Sequence, residues 1–313
     1  MQENEDLKDE DIKVLEFLSK YKMLKIEDAS FIYKRKRYYR QRINRLIDRG
    51  YVKRYKCYVI INRNGRKYLG KSGTSYIKNI DNEAYMERLK AIASIAAITI
   101  NSNVEFIPSW DIKERDKFTE TARRYIGKMI IDSKEYLIYY ITAKKEHVYI
   151  KQLLFDVNKS INSQNIIIFT ENFDVINKNY NNLVFGKENT FVILNNKENK
   201  ELLKKYEDID IHELLESIYG EELLISNWNN ADYLLEDNTY IVSMPFINTE
   251  KIARINWFFE ENTELKRKVE IVTLKENKDK IRELLVDKCS IKTFDKDLLG
   301  GISETQENQW KTT

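Results

Sequence analysis

Between Lys34 and Lys67 the chain sets cations, amides and aromatic residues at a spacing that suits recognition of nucleic acid rather than covalent chemistry. Over residues 36–49 the apolar side chains Tyr39, Ile43, Leu46 and Ile47 recur at the helical period and define an inward face. The outward face then carries Lys36, Arg37, Arg40, Gln41, Asn44 and Arg45. Arg and Lys neutralise phosphates, while Arg can make bidentate contacts to guanine, and Gln or Asn to adenine, in the major groove. Lys34, Arg35 and Tyr38 belong to the same run. Two β-rich segments follow, 51–54 and 58–61, with Tyr55, Lys56 and Cys57 between them, which predicts a short hairpin with Arg54 and Lys56 at its tip. Arg63 and Arg66 come just after it. These residues are the expected contacts to double-stranded DNA.

Other chemistries find less support. His147 and His212 are the only histidines and stand far apart, and Cys57 and Cys289 form no metal-binding spacing, so no metal site is expected. Neither G-x-x-x-x-G-K-[ST] nor G-x-G-x-x-G occurs, and no cofactor is expected. No Ser or Cys nucleophile has an evident His base. Trp110, Trp228, Trp257 and Trp310 could stack on single-stranded bases, but Trp257, in the segment INWFFEEN, reads as a core residue. The expected protein is not an enzyme.

The elements that would position the basic face are three short helices and the hairpin. Residues 9–20 form a helix with Ile12, Leu15 and Leu18 on one side, and residues 25–33 a second with Ile26, Ala29 and Ile32 inward. The third, from about 36 to 49, stops at Gly50. The net charge of +3 hides a segregation: from Lys22 to Lys71 there are 17 Lys or Arg against Glu27, Asp28 and Asp48. Residues 1–21 sum to −4 and residues 72–313 to −7. A merely solvated helix face would mix in acids, so the local excess speaks for a polyanionic partner at one end of the chain.

In LIDRGYVKRYKCYVIINRNGRKYL the sequence resembles the winged-helix superfamily: a helix ends in Gly, a two-stranded wing follows, and an N-G-R-K-Y-L segment closes the domain. The resemblance implies a recognition helix in the major groove and a wing near phosphates or the minor groove. A winged helix used for protein contacts remains the other reading.

A helix from about 82 to 100 follows, with Leu89, Ile92, Ala93, Ala96 and Ala97 on one side. Its small residues suit close packing, either across a homodimer or against its own domain. Strand and helix patterns then alternate to residue 294, which predicts an α/β domain with a mixed, partly parallel sheet. The fold expected is an α+β winged helix (1–78), a connecting helix and linker (79–122), the α/β domain (123–300) and a polar tail (301–313).

The stretch ARRYIGKMIIDSKEYLIYYI, followed by NIIIFTENF behind a winged helix, is similar to the replication-relaxation family of Gram-positive plasmids and conjugative elements. The resemblance implies a restriction-endonuclease-like second domain and a part in plasmid replication, transfer or its control, with replication or transfer proteins as partners. A working nuclease would need an acid near the first hairpin strand and acid-x-Lys on the next, to hold Mg²⁺. Here Asp132 sits in the turn, and Thr142, Ala143 and Lys144 take the second position. The reading is therefore a non-catalytic, sequence-specific DNA-binding protein acting in replication initiation or its control. The alternatives are a transcriptional regulator with a ligand- or partner-sensing second domain and, further off, a metal-dependent nuclease or relaxase. No run reaches the ~18 apolar residues of a membrane span, the N-terminus has no signal-peptide pattern, and the two lone thiols fit a reducing cytoplasm.

Overall fold

The computed structural model describes residues 7–33, 37–70, 82–116, 124–142, 146–159, 164–179, 183–206, 210–220, 222–262, 267–296 and 298. It is an α+β protein with mixed, partly parallel sheets. Two compact units divide the chain, Met1–Asp111 and Ile112–Thr313. Lys34, Arg35, Lys36, Ala143, Lys144 and the 301–313 tail fall outside the described residues.

In the first unit α1 (Asp9–Tyr21) opens with Asp9, Glu10 and Asp11, as the positive end of a helix dipole favours, and stops at Lys22 in the left-handed region at φ 68°. Its Val14, Leu15, Phe17, Leu18 and Tyr21 are buried. Then come β1 (Met23–Lys25), α2 (Ala29–Tyr33), α3 (Tyr38–Asp48), β2 (Val52–Tyr55), β3 (Tyr58–Ile61) and α4 (Arg63–Tyr68). The strands make an antiparallel sheet in the order β1-β3-β2, with Leu24 and Arg54 both opposite Val59. Tyr55 pairs with Tyr58, so the hairpin loop is Lys56 and Cys57 alone, one residue shorter than the sequence predicts. Lys56 takes φ 53° there, as a tight two-residue turn requires.

One difference from expectation matters here. The segment read as the start of the second helix is β1 followed by a turn, and Ile26 is half-buried, its N–H donating to Cys57 O at 2.9 Å. The helix α5 (Glu83–Ala96), continued by a 3₁₀ turn at Ala97–Thr99, packs within the unit against β1 and α1. Its Met86, Leu89 and Ala93 join Met23 and Ile60 in one apolar cluster edged by Tyr55, Tyr58 and Trp110. Of the two packings the sequence allowed for this helix, the structure shows the one against its own domain. β4 (Glu105–Pro108) follows, and the division between the units falls inside α6 (Ser109–Asp116).

In the second unit β5 (Gly127–Ile131) and β6 (Lys134–Ile141) form a hairpin whose loop residues Asp132 and Ser133 both have positive φ, 48° and 58°. The chain continues through α7 (Glu146–Lys159), β7 (Asn165–Thr170), α8 (Asp174–Asn179), β8 (Asn189–Leu194), α9 (Lys197–Tyr206) and α10 (Ile211–Tyr219). It ends with β9 (Leu224–Ile225), β10 (Tyr233–Leu234), β11 (Thr239–Ser243), β12 (Ile247–Asn248), α11 (Thr249–Glu261), β13 (Lys268–Leu274), α12 (Lys278–Leu284) and β14 (Ser290–Phe294). Strands β6, β7 and β8 run parallel, with β5 and β12 antiparallel at either side of them. A separate sheet has the order β14-β13-β11-β10-β9, its first three strands parallel. The expected single sheet is therefore two. Strand β7 is buried along its whole length, as its run of Ile and Phe requires when both faces are covered.

Trp257 corrects a further expectation. On α11 the buried apolar positions are Ile252, Ile255 and Phe259, spaced three and four apart, and Trp257 lies off that face at 61% exposure. Trp110 and Trp228 are half-buried, the latter tilted on Phe258 at 4.7 Å.

Candidate nucleic-acid interface

Helix α3 divides cleanly by chemistry. Tyr39, Arg42, Ile43 and Leu46 are buried, whereas Arg40, Gln41, Asn44, Arg45 and Asp48 are exposed on the opposite side. Ile47, predicted inward, is half-buried at the border. Arg37 immediately precedes the helix and is exposed. Tyr38 is half-buried, its hydroxyl accepting a 2.8 Å hydrogen bond from Lys8 Nζ that holds the phenol below its usual range. Arg40 lies over the Tyr39 ring at 5.7 Å and donates from Nε to the Tyr39 hydroxyl at 3.1 Å, which fixes its base while leaving the residue exposed.

Beneath this face is a group that sequence reasoning missed. Arg42 sits on the inner side and is buried with its guanidinium against Asp11 of α1, donating from Nη2 to one carboxylate oxygen and from Nε to the other at 3.2 Å. The Tyr33 hydroxyl of α2 donates to the same carboxylate at 2.7 Å, and the Lys8 N–H does so at 3.0 Å. Burial pushes the Asp11 carboxyl up, but the hydrogen bonds from Arg42, Tyr33 and the Lys8 N–H together hold it below its usual value. Burial and the Asp11 charge push the Tyr33 phenol well above its own. One carboxylate thus ties α1, α2 and α3 together and sets the rotation of α3. The only legible signal was a cation on the apolar side of the third helix, unmatched within its own element.

At the hairpin, Arg54 and Lys56 are exposed, and Arg54 Nε donates to Lys56 O at 3.2 Å across the turn. Lys53 is exposed beside them. Arg63 is exposed in the first turn of α4, which Asn62 caps by accepting the Arg63 N–H at 2.8 Å, while Arg66 is half-buried. The structure thus gathers Arg37, Arg40, Gln41, Asn44 and Arg45 on or beside one helix face and Arg54 and Lys56 at one turn. Among the described residues no group of three His, Cys, Asp or Glu could hold a metal ion. No helix among them is long and apolar enough to cross a membrane.

The chain matches no protein-family model, no characterised protein and no solved structure.

Proposed function

We propose that the first unit is a winged-helix domain that binds double-stranded DNA sequence-specifically, with α3 as its recognition helix and the β2–β3 hairpin as its wing. The observation that carries this is the exposed face of Arg40, Gln41, Asn44 and Arg45 backed by a fully engaged inner face. Guanidinium and amide groups are mixed along that face, the pattern that base edges in the major groove require. The order helix, strand, helix, helix, strand, strand, with β3 between β1 and β2, supports the same reading. The local excess of positive charge over residues 22–71 supplies the phosphate attraction.

For the process, the reading is a non-catalytic factor in replication initiation or its control on a plasmid or related mobile element. It rests on the resemblance of the second unit's first hairpin and its position behind the basic unit. Nuclease protection on the DNA flanking the gene tests both levels. Repeated protected sites at an origin support the initiator, a single palindrome over a promoter supports a transcriptional regulator in its place, and no protection sinks the DNA reading. The Arg40→Ala, Asn44→Ala and Arg45→Ala variants should lose the footprint together with tight binding.

A further inference from the structure

The second unit holds a cleft of about 260 Å³ for which the DNA reading has no use. Lys134 and Tyr136 of β6, Phe191 of β8, Tyr206 at the end of α9 and Tyr233 of β10 line it, with the Asp232–Lys251 ion pair at one side. Much of the wall is closed on itself. Lys251 Nζ donates to both Asp232 oxygens at 2.9 Å, and Asp232 accepts the Ser243 N–H at 2.7 Å. Asn248 donates to Asn189, and Asn189 to Asn165, each at 2.9 Å.

Four groups are left over. Among the described residues the Lys134 ammonium and the hydroxyls of Tyr136, Tyr206 and Tyr233 make no hydrogen bond. All four can donate, and the phenols stay protonated because burial raises them, Tyr206 up to about 12. The Tyr136 and Phe191 rings stack at 5.7 Å and 26°, giving the cleft a flat apolar wall beside its donors. A wall of this kind with a few convergent polar groups is the usual make-up of a small-molecule site. Asp232 is neutralised by Lys251, so the charge left uncompensated at the lining is that of Lys134. From outside the lining Asp132 and Glu188 act on Tyr136, and Asp210 and Glu216 on Tyr233; these are the groups that would favour a cation instead.

We propose that this cleft binds a small ring-bearing organic anion, its acidic group held by Lys134 and the tyrosine hydroxyls and its ring laid on the aromatic wall. Every residue involved belongs to the second unit, so the inference does not depend on DNA binding.

The test is a charge series on one ring. Benzoate, phenyl phosphate, benzamide and benzylamine are titrated into the full-length protein by calorimetry and saturation-transfer NMR. Benzoate or phenyl phosphate should bind about tenfold more tightly than benzamide, the advantage of a charge-assisted hydrogen bond over a neutral one. The tighter of the two anions tells a carboxylate ligand from a phosphate one. Lys134 is exposed, so Lys134→Ala should weaken the anion by about tenfold and leave the thermal midpoint in place. Tyr206→Phe should weaken it less. Benzylamine matching the anions, anion affinity unmoved by Lys134→Ala, or no saturable anion binding up to about 10 mM would each overturn the inference.

Discussion

Arg42 on the inner face of α3 closes on Asp11 of α1 across thirty-one residues of sequence, with both carboxylate oxygens engaged and Tyr33 sharing one of them. One of the seventeen cations in the basic segment is therefore part of the fold and does not face solvent. A buried pair of this kind adds little net stability over apolar residues of the same volume, but breaking it from one side leaves a stranded charge. Arg42→Ala should accordingly cost about 3–5 kcal/mol in urea unfolding, and Asp11→Ala a similar amount. The double variant Asp11→Leu, Arg42→Met should recover most of that loss. A double variant that costs the sum of the two single variants would show that the two charges are not coupled.

The same carboxylate gives the first unit an acid limit. Its folded pKa is depressed, so the unfolded state takes up the proton first as pH falls, and stability is lost as pH drops through the folded value. The contribution is complete above the unfolded carboxylate pKa of about 4 and vanishes below the folded one. Asp11→Asn should be less stable than the parent at neutral pH, and its stability should change less between about pH 5 and about pH 2. Circular dichroism melts across that range measure the difference, and parallel curves would refute the linkage.

Steric and conformational demands on glycine separate at two positions. A Cβ on Gly65 would stand 2.5 Å from Tyr51 O and 3.2 Å from Leu15 Cδ2, so α4 can approach the backbone just before β2, and α1, only without a side chain there. Gly70 meets nothing within 4 Å but has φ 66°. Gly65→Ala should destabilise by about 1–3 kcal/mol or more through overpacking, and Gly70→Ala by only about 1–2 kcal/mol through backbone strain. A Gly65→Ala midpoint as high as the parent's would contradict the close approach at Gly65.

How far the sequence revealed this depends on the range of the interaction. Periodicity placed α1 and α3 to within a residue or two, because the burial stripe of a helix is written in its own residues. The polar face of α3 was legible for the same reason. Strand β1 was not, since three residues carry too little pattern and its partner β3 lies more than thirty positions on. The Asp11–Arg42 pair was hidden by the same distance. In the second unit the alternation of strand and helix up to residue 294 was readable, but it does not say which sheet a strand joins. The two-residue strands β9, β10 and β12 left no trace. Trp257 was misplaced because an apolar composition on α11 is wider than the stripe the core can cover.

If α3 reads bases and the hairpin holds phosphates, the two sets of residues must fail differently. Replacing Arg54 and Lys56 together by Ala should reduce the slope of log affinity against log salt by up to about 1.8, at about 0.9 per phosphate neutralised on duplex DNA. Gln41→Ala and Asn44→Ala should leave that slope alone, cost about 1–3 kcal/mol on cognate DNA for each bidentate pair of hydrogen bonds removed, and leave non-specific affinity unchanged. A uniform loss across all sequences from the α3 variants would reduce the helix to a phosphate-binding surface.

The thiols provide a chemical probe of the same interface. Cys57 is exposed in the hairpin loop between Lys56 and Tyr58, whereas Cys289 is buried and its thiol is pushed up to about 12 by that burial. The thiolate is the reactive species, so one thiol should react in the native protein and both only after unfolding. A large maleimide attached to Cys57 would stand beside Arg54 and Lys56, where the wing would approach the duplex. The Cys57→Ser variant removes the thiol without adding bulk and should bind DNA like the parent, while the labelled parent should bind at least about tenfold more weakly, as the removal of two or more phosphate interactions implies. Labelling that leaves affinity untouched would place the duplex away from the hairpin and confine recognition to α3.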